Sequence, residues 1–118
     1  MAQQFVIGID IGTTGCKSLI IDDRGRVVAR ALEEYPLSNP HPGWSEQNPE
    51  DWWQACRTTI RQLLRDSDAV GSIRAIGLSG QMHGMVALDK DGTVLRPCIM
   101  WNDQRTEKQC QQIHDRLG

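Results

Sequence analysis

The segment Phe5-Val-Ile-Gly-Ile-Asp-Ile11 and the turn Gly12-Thr-Thr-Gly15 that follows it decide the fold of this chain. The nearly continuous run of β-branched residues predicts a buried strand, and the turn predicts an immediate return in the opposite direction. A second strand is predicted over 17–22, and a tight turn at Asp23-Arg-Gly25 leads to a third strand over 26–32. The chain is therefore predicted to begin with an antiparallel meander of three strands.

An irregular, proline-rich stretch over residues 35–48 precedes a predicted helix. Trp44 in this stretch either lines a sugar site or covers the core. Asn48 is a good N-cap, and Pro49 suits the first position of a helix. The apolar residues at helical spacing predict one buried stripe made of Trp53, Cys56, Ile60, Leu63 and Leu64.

The remaining elements alternate between extended and helical patterns. They are a strand over 73–78, a hairpin over 85–88 and 93–95, an extended segment over 97–101, and a final helix. The final helix is predicted to begin near Asp103 or Thr106 and to close at Gly118. Antiparallel strands followed by a helical crossover predict a mixed sheet in an α/β or α+β domain.

The chain has 118 residues, and 13 Lys and Arg against 15 Asp and Glu give a formal net charge of −2. This length suits one domain, and the charge argues against a strongly basic nucleic-acid-binding protein. No apolar run approaches the ~20 residues of a membrane span, and the first residues lack the pattern of a secretory signal. We expect a cytoplasmic domain that binds neither nucleic acid nor membrane.

The sequence contains no Cys-x-x-Cys pair. We therefore expect its cysteines to be reduced and mostly packed in the interior; they are Cys16, Cys56, Cys98 and Cys110.

The densest chemical signal is the segment Asp10-Ile-Gly-Thr-Thr-Gly-Cys-Lys17. Glycine lets a backbone approach an anion closely, and the N–H groups and threonine hydroxyls of the turn can donate to phosphate oxygens. Asp10 is suited to hold a hydrated Mg²⁺, and Lys17 is suited to neutralise phosphate charge. Cys16 separates Gly15 from Lys17 and a strand follows, so the segment is not a P-loop. The alternative is a glycine-rich hairpin turn with an exposed aspartate.

Two later segments carry groups that suit a polyol. Ser79-Gly-Gln-Met-His-Gly84 follows a predicted strand, where α/β sheets commonly place ligands. The alternative for this segment is an exposed or a buried structural histidine. Trp101-Asn-Asp-Gln-Arg105 combines an aromatic ring with hydrogen-bonding groups. Its alternative is that Asn102 or Asp103 caps the final helix while Trp101 packs in the core.

Four segments, in the same order, resemble the N-terminal part of the FGGY family of carbohydrate kinases, which belong to the actin-like, ribonuclease-H-fold ATPases. These segments are Ile7–Lys17, His41–Trp53, Gly77–Gly84 and Ile99–Thr106. The last two are most similar to the family members that phosphorylate xylulose. The resemblance implies an α/β fold with a mixed sheet and flanking helices, in an incomplete N-terminal domain over residues 1–118.

The same resemblance implies transfer of the γ-phosphate of ATP to a hydroxyl of D-xylulose, with Mg²⁺ as the metal. The residues implied at the phosphates are Gly12, Thr13, Thr14 and Lys17, and the residue implied at the metal is Asp10. Met82 and His83 are implied at the sugar, and the further sugar candidates are Gln81, Trp101, Asn102 and Asp103. The family's catalytic aspartate lies far beyond residue 118, so no residue here takes that role and the isolated chain is expected to be inactive.

The implied partners are the sugar and the rest of the kinase chain. We also expect the isolated chain to self-associate through exposed sheet edges. Three alternative functions stay open at this point. They are a non-catalytic sugar- or nucleotide-binding module, a kinase for another sugar such as gluconate or ribulose, and an actin-fold ATPase without a sugar substrate.

Overall fold

A computed structural model describes residues 2–118, which form two compact units that alternate along the chain. The first unit contains the described residues up to Pro36 together with Glu50–Gln81. The second unit contains Leu37–Pro49 and Met82–Gly118. Each unit is therefore assembled from two separate stretches of sequence.

The secondary structure follows the predicted order with revised bounds, except that one short strand is added before the first helix and no regular strand forms over 85–95. The elements are β1 (Phe5–Ile11), β2 (Gly15–Asp22), β3 (Val27–Glu34), β4 (Glu46–Gln47), α1 (Pro49–Arg65), β5 (Ile73–Gly80), β6 (Cys98–Ile99) and α2 (Glu107–Leu117). The predicted meander, the two helices and the strand after α1 are confirmed.

The first unit contains a four-stranded mixed sheet in the order β3-β2-β1-β5. β1 pairs antiparallel with β2 and parallel with β5. A parallel pair needs a long crossover connection, and α1 supplies it within the segment between β3 and β5. This register places Asp10 opposite Lys17 on one side and opposite Ser79 on the other.

The core of the first unit lies between one face of this sheet and α1. Alternate residues of β1 and β2, such as Ile7 and Ile20, are buried on that face. The buried residues of α1 are Ala55, Cys56, Thr59 and Leu63.

The prediction that Trp53 belongs to the buried stripe of α1 is wrong, because its side chain is 57% exposed. An α-helix turns about 100° per residue, so Trp52 lies on the face defined by Cys56, Thr59 and Leu63, and Trp53 lies a quarter-turn away. Trp52 is the tryptophan that packs against the core. The sequence pattern missed this phase because the fully buried Thr59 is polar.

The second unit contains a short antiparallel pair of β4 and β6, with Glu46 opposite Ile99 and Gln47 opposite Cys98. The sequence predicts an irregular stretch where β4 lies, because two residues carry no readable periodicity. Met100, which follows β6, is also buried. The predicted extended segment over 97–101 therefore corresponds to the centre of this unit.

The predicted hairpin over 85–88 and 93–95 is present as an antiparallel return of the chain but not as two regular strands. A single bridge joins Leu88 to Val94. Backbone hydrogen bonds from the Asp89 N–H to the Thr93 carbonyl and from the Leu95 N–H to the Ala87 carbonyl, each at 2.9 Å, also connect the two arms. A tight turn is present, since the Asp89 carboxylate accepts backbone N–H groups from Asp91 and Thr93, each at 2.9 Å. Both arms are largely exposed, and a hairpin without a packed face is only marginally stable.

The final helix, α2, confirms the alternative that begins near Thr106. Gly118 has a φ of +85° and donates its N–H to the His114 carbonyl at 2.8 Å, as expected of a closing glycine. Neither α1 nor α2 is long and apolar enough to cross a membrane. All four cysteines are free thiols, and Cys110 on α2 is the exposed one among them.

Candidate functional site

The turn between β1 and β2, residues Gly12–Gly15, is fixed mainly by backbone hydrogen bonds. Gly12 donates its N–H to the Gly15 carbonyl at 3.1 Å. Gln81, which follows β5, donates its N–H to the Ile11 carbonyl at 2.9 Å and accepts the Thr13 hydroxyl at 3.1 Å. The loop after β5 is therefore joined to the turn after β1, as expected at the carboxyl ends of two parallel strands.

Gly15 is required by the close approach of β3. A Cβ atom at this position would lie 2.7 Å from the Glu33 carbonyl oxygen and 3.1 Å from the Glu34 Cα. Both neighbours are backbone atoms that cannot rotate away, so only glycine fits here. The turn thus stays pressed against the end of β3.

Tyr35, which the sequence analysis did not single out, supports the same turn. Its phenol donates to the Gly12 carbonyl, and its N–H donates to the Thr14 carbonyl at 3.3 Å. Burial, with smaller contributions from the charges of Cys16 and Asp10, raises the pKa of Tyr35 to about 12. The sequence contained one indication of this role, which is the position of Tyr35. Because β3 pairs antiparallel with β2, the residue that follows β3 lies beside the turn that precedes β2.

Asp10 and Lys17 are cross-strand partners on the sheet face opposite α1. Asp10 is half-buried, whereas Lys17 and Thr14 are exposed. Residues 2–118 include no group of three or more metal-ligating side chains that could hold an ion by themselves. One carboxylate nevertheless fits Mg²⁺, which commonly takes one or two protein carboxylates and completes its shell with water and phosphate.

The second unit holds the other candidates at its surface. Met82 is 71% exposed and Trp101 is 57% exposed, and His83 and Asn102 are exposed as well. His83 adopts a φ of +62°, a left-handed conformation that non-glycine residues seldom adopt and that often marks a functional segment. The alternative in which Trp101 packs in the core is therefore excluded.

A cluster of charged residues surrounds the loop Trp101–Arg105, which we call the tryptophan loop. Both oxygens of Asp103 accept hydrogen bonds from the Arg105 side chain, at 2.9 Å from Nε and 2.7 Å from Nη2. Asp103 also accepts the Ser45 N–H at 2.6 Å, and Arg105 also pairs with Glu46 at 2.8 Å. The Asp103 side chain is 2% exposed, so this carboxylate is already committed to partners in the chain.

Trp44 forms the floor of this cluster. The Arg105 guanidinium lies 3.7 Å from the centroid of the Trp44 ring, and the His41 ring packs edge-on at 4.6 Å between centroids. The hydrogen bonds from Arg105, opposed in part by burial, hold the pKa of Asp103 well below its usual range. The pKa of Arg105 is raised chiefly by the same bonds.

Comparison with known proteins identifies the family. The profile of the FGGY family of carbohydrate kinases, N-terminal domain, matches residues 5–118. The chain belongs to the FGGY family. The resemblance stated from the four sequence segments is confirmed.

Individual FGGY relatives are similar over nearly the whole chain. The xylulose kinases of Klebsiella pneumoniae and Escherichia coli are 45% and 44% identical over 112 and 111 residues. These alignments cover 95% and 94% of this chain but 23% of each relative. The chain therefore spans less than a quarter of the length of the FGGY relatives that it matches.

Solved FGGY structures share the fold. The xyloylose kinase of Brucella ovis superposes with a TM-score of 0.90 at 45% identity, covering 96% of this chain and 24% of that structure. The gluconate kinase of Lactobacillus acidophilus gives 0.91 at 32% identity, covering 98% and 23%. FGGY sugar kinases have the actin-like ATPase fold, so the predicted α/β class with a mixed sheet is confirmed.

The FGGY chain thus presents its candidate residues in two groups. The first unit brings together Asp10, Gly12, Thr13, Thr14, Lys17 and Gln81. The second unit contains Met82, His83, Trp101, Asn102 and Asp103. The binding roles assigned to these residues stay predictions. The oxygens of Asp103 are engaged within the chain, and the side-chain oxygen of Gln81 accepts the Thr13 hydroxyl.

Proposed function

We propose that this chain is the N-terminal part of a cytoplasmic kinase that transfers the γ-phosphate of ATP to D-xylulose, giving D-xylulose 5-phosphate. The xylulose kinases at 40–45% identity support this sugar. The observation that carries the proposal is the turn after β1, where glycine backbone, hydroxyls, one carboxylate and one ammonium group are held within eight residues, 10–17.

The turn would bind the phosphates of ATP. Bound Mg²⁺-ATP would supply the phosphoryl group and the charge of the metal. Gly12 lets the backbone approach the phosphates, and Lys17 neutralises part of their charge. Because the Thr13 hydroxyl donates to Gln81, the exposed Thr14 hydroxyl is the better donor to a phosphate oxygen. Asp10 would hold the metal as one ligand among waters and phosphate oxygens.

The sugar would contact the exposed side chains of the second unit. His83 offers hydrogen bonds to hydroxyl groups, and Met82 offers an apolar contact. Trp101 provides a flat aromatic face, and Asn102 provides an amide that both donates and accepts. Gln81 is a further candidate for contact with the sugar, although its side-chain oxygen already accepts the Thr13 hydroxyl.

No residue of this chain is proposed as the general base. The catalytic aspartate is expected in the rest of the kinase chain, so the isolated chain is proposed to be inactive. The outer edge of β5 has no strand partner in residues 2–118, and Ile76 and Leu78 are 56% and 78% exposed. We propose that this edge is covered by the rest of the kinase and mediates self-association when the chain is alone.

A gluconate kinase is the second candidate, since the Lactobacillus acidophilus enzyme superposes as closely as the Brucella ovis kinase. Its lower identity of 32%, against 45%, favours xylulose. Sugar titrations therefore decide between the two.

The test is an amide NMR titration of the isotope-labelled chain with Mg²⁺-ATP, and separately with D-xylulose, D-gluconate and glycerol. We expect shifts at 10–17 with Mg²⁺-ATP, and shifts at 82–83 and 101–102 with D-xylulose only. Lys17→Gln should weaken the nucleotide response, while Lys90→Gln, at a strongly exposed position, serves as its matched control. Shifts with D-gluconate alone would support the second candidate, and a folded chain that ignores every ligand would contradict the binding roles proposed for the residues of this chain.

A further inference from the structure

The tryptophan loop is fastened on both sides of Trp101 and Asn102. Before them, Met100 donates its N–H to the Ser45 carbonyl at 2.9 Å. After them, Asp103 accepts the Ser45 N–H at 2.6 Å, and Gln104 donates its N–H to the Gly43 carbonyl at 2.7 Å. Hydrogen bonds therefore hold the backbone on both sides of these two exposed side chains.

Arg105 connects these points by using both its charge and its flat shape. Its Nη2 lies 2.7 Å from Asp103 Oδ2 and 2.8 Å from Glu46 Oε1, and its face covers the Trp44 ring. Its side chain is only 11% exposed. A guanidinium can make a two-bond contact with a carboxylate and stack on an aromatic ring at the same time, whereas a lysine ammonium cannot.

We propose that Arg105 is a positioning residue that sets Trp101 and Asn102 in place for the sugar, a role that rests on the proposed function. Arg105 acts through Asp103, Glu46 and Trp44 and does not touch the sugar. Holding the loop before the sugar arrives removes the cost of ordering two side chains during binding. This role also explains why the Asp103 carboxylate, which lies in a predicted sugar motif, accepts hydrogen bonds from Arg105 and Ser45.

Arg96 provides the matched control. It also pairs with Glu46, at 3.1 Å, but its side chain is 44% exposed. Arg96→Gln therefore removes one positive charge from the same cluster and leaves the contact between Arg105 and Asp103. An effect of net charge alone would appear equally in both variants.

The experiment compares Arg105→Gln, Arg105→Lys and Arg96→Gln in the isotope-labelled chain. We measure the Kd for D-xylulose, the indole signal of Trp101 and hydrogen exchange at the Ser45 N–H. Exchange in β1 and β2 verifies that the sheet is intact. We expect Arg105→Gln to raise the Kd roughly tenfold, because two side chains must be ordered on binding. Arg105→Lys should recover part of this loss, and Arg96→Gln should stay close to the unsubstituted chain.

The outcomes separate this proposal from the proposed function. An unsubstituted chain that folds but does not bind D-xylulose contradicts the sugar contacts, and the Trp101 signal and Ser45 exchange then decide the role of Arg105. Unchanged Trp101 and Ser45 signals in Arg105→Gln overturn it, as does a rise in Kd no larger than that in Arg96→Gln. If Arg105→Gln does not fold, Arg105→Lys decides by the same two signals, with Arg96→Gln as the reference.

Discussion

The turn Gly12–Gly15 and the tryptophan loop are held in place by different physical means. Backbone hydrogen bonds, close glycine packing and the neutral phenol of Tyr35 fix the turn. Two carboxylates, two guanidinium groups and one aromatic face surround the loop. The turn should therefore respond mainly to changes of shape, and the loop should respond mainly to changes of charge and pH.

The largest effect is expected from Gly15→Ala. Its Cβ would lie 2.7 Å from a backbone oxygen of β3, so we expect a loss of about 3 kcal/mol in the free energy of unfolding. Gly77→Ala is the matched control in β5, because a Cβ there meets nothing within 4 Å. Urea denaturation measures both, and equal effects would contradict the role given to close packing.

Trp44→Leu should have the next largest effect. It removes the ring beneath Arg105, and we expect a loss of about 1.5 kcal/mol, seen as faster hydrogen exchange at the Ser45 N–H. Trp53→Leu provides the control because Trp53 is 57% exposed. If the Ser45 N–H exchanges at the same rate in both variants, the Trp44 ring does not stabilise the tryptophan loop.

Tyr35→Phe should cost about 1 kcal/mol, the contribution of one hydrogen bond. The chain has a single tyrosine, so ultraviolet absorbance of the phenolate reports Tyr35 alone. We expect it to titrate near pH 12 in the folded chain. The raised pKa stabilises the fold below the ordinary value of 10.0, and this stability is lost as the pH rises from there towards 12. Ionisation near the ordinary value would contradict the burial of the phenol.

The smallest effect is expected in acid, at Asp103. Its pKa is lowered in the folded chain, so its contribution is complete above the ordinary value of 3.8 and falls as the pH drops through the lowered pKa. The groups that face it are Arg105 and the Ser45 N–H, with Glu46 and Arg96 paired beyond. Arg105→Gln should make stability fall less steeply below pH 3.8. An unchanged slope in urea denaturation would contradict that coupling.

The sequence predicted the turn and its sheet because their signals are local. Strands on both sides and the Gly-Thr-Thr-Gly spacing all lie within 5–22, and the cross-strand register follows from them. The phase of α1 was misjudged because a buried threonine, Thr59, stands where the pattern expects an apolar residue. Its hydroxyl lies 2.8 Å from that of Ser18 on β2, a contact between polar groups that hydropathy does not reveal.

The support of the tryptophan loop was not predictable from spacing. Ser45 and Asp103 lie 58 residues apart, and β4, where Glu46 lies, has only two residues. Asp103 carried an ambiguous signal, since the same carboxylate suits a helix cap, a sugar contact or a partner for arginine. Only the three-dimensional contacts decide that it binds Arg105. Tyr35 was missed for a related reason, because its phenol reaches back 23 residues to Gly12.

The alternation of the two units along the chain sets an order of assembly during synthesis. Residues 37–49 leave the ribosome before α1 and β5, yet β4 waits for β6 at residues 98–99. The first sheet becomes complete as soon as β5 emerges, before any residue of the tryptophan loop has left the ribosome. A translation product that ends shortly after Gln81 would therefore contain the complete four-stranded sheet, but residues 37–49 would lack the strand with which β4 pairs. We expect quality-control proteases to cleave such an unpaired segment.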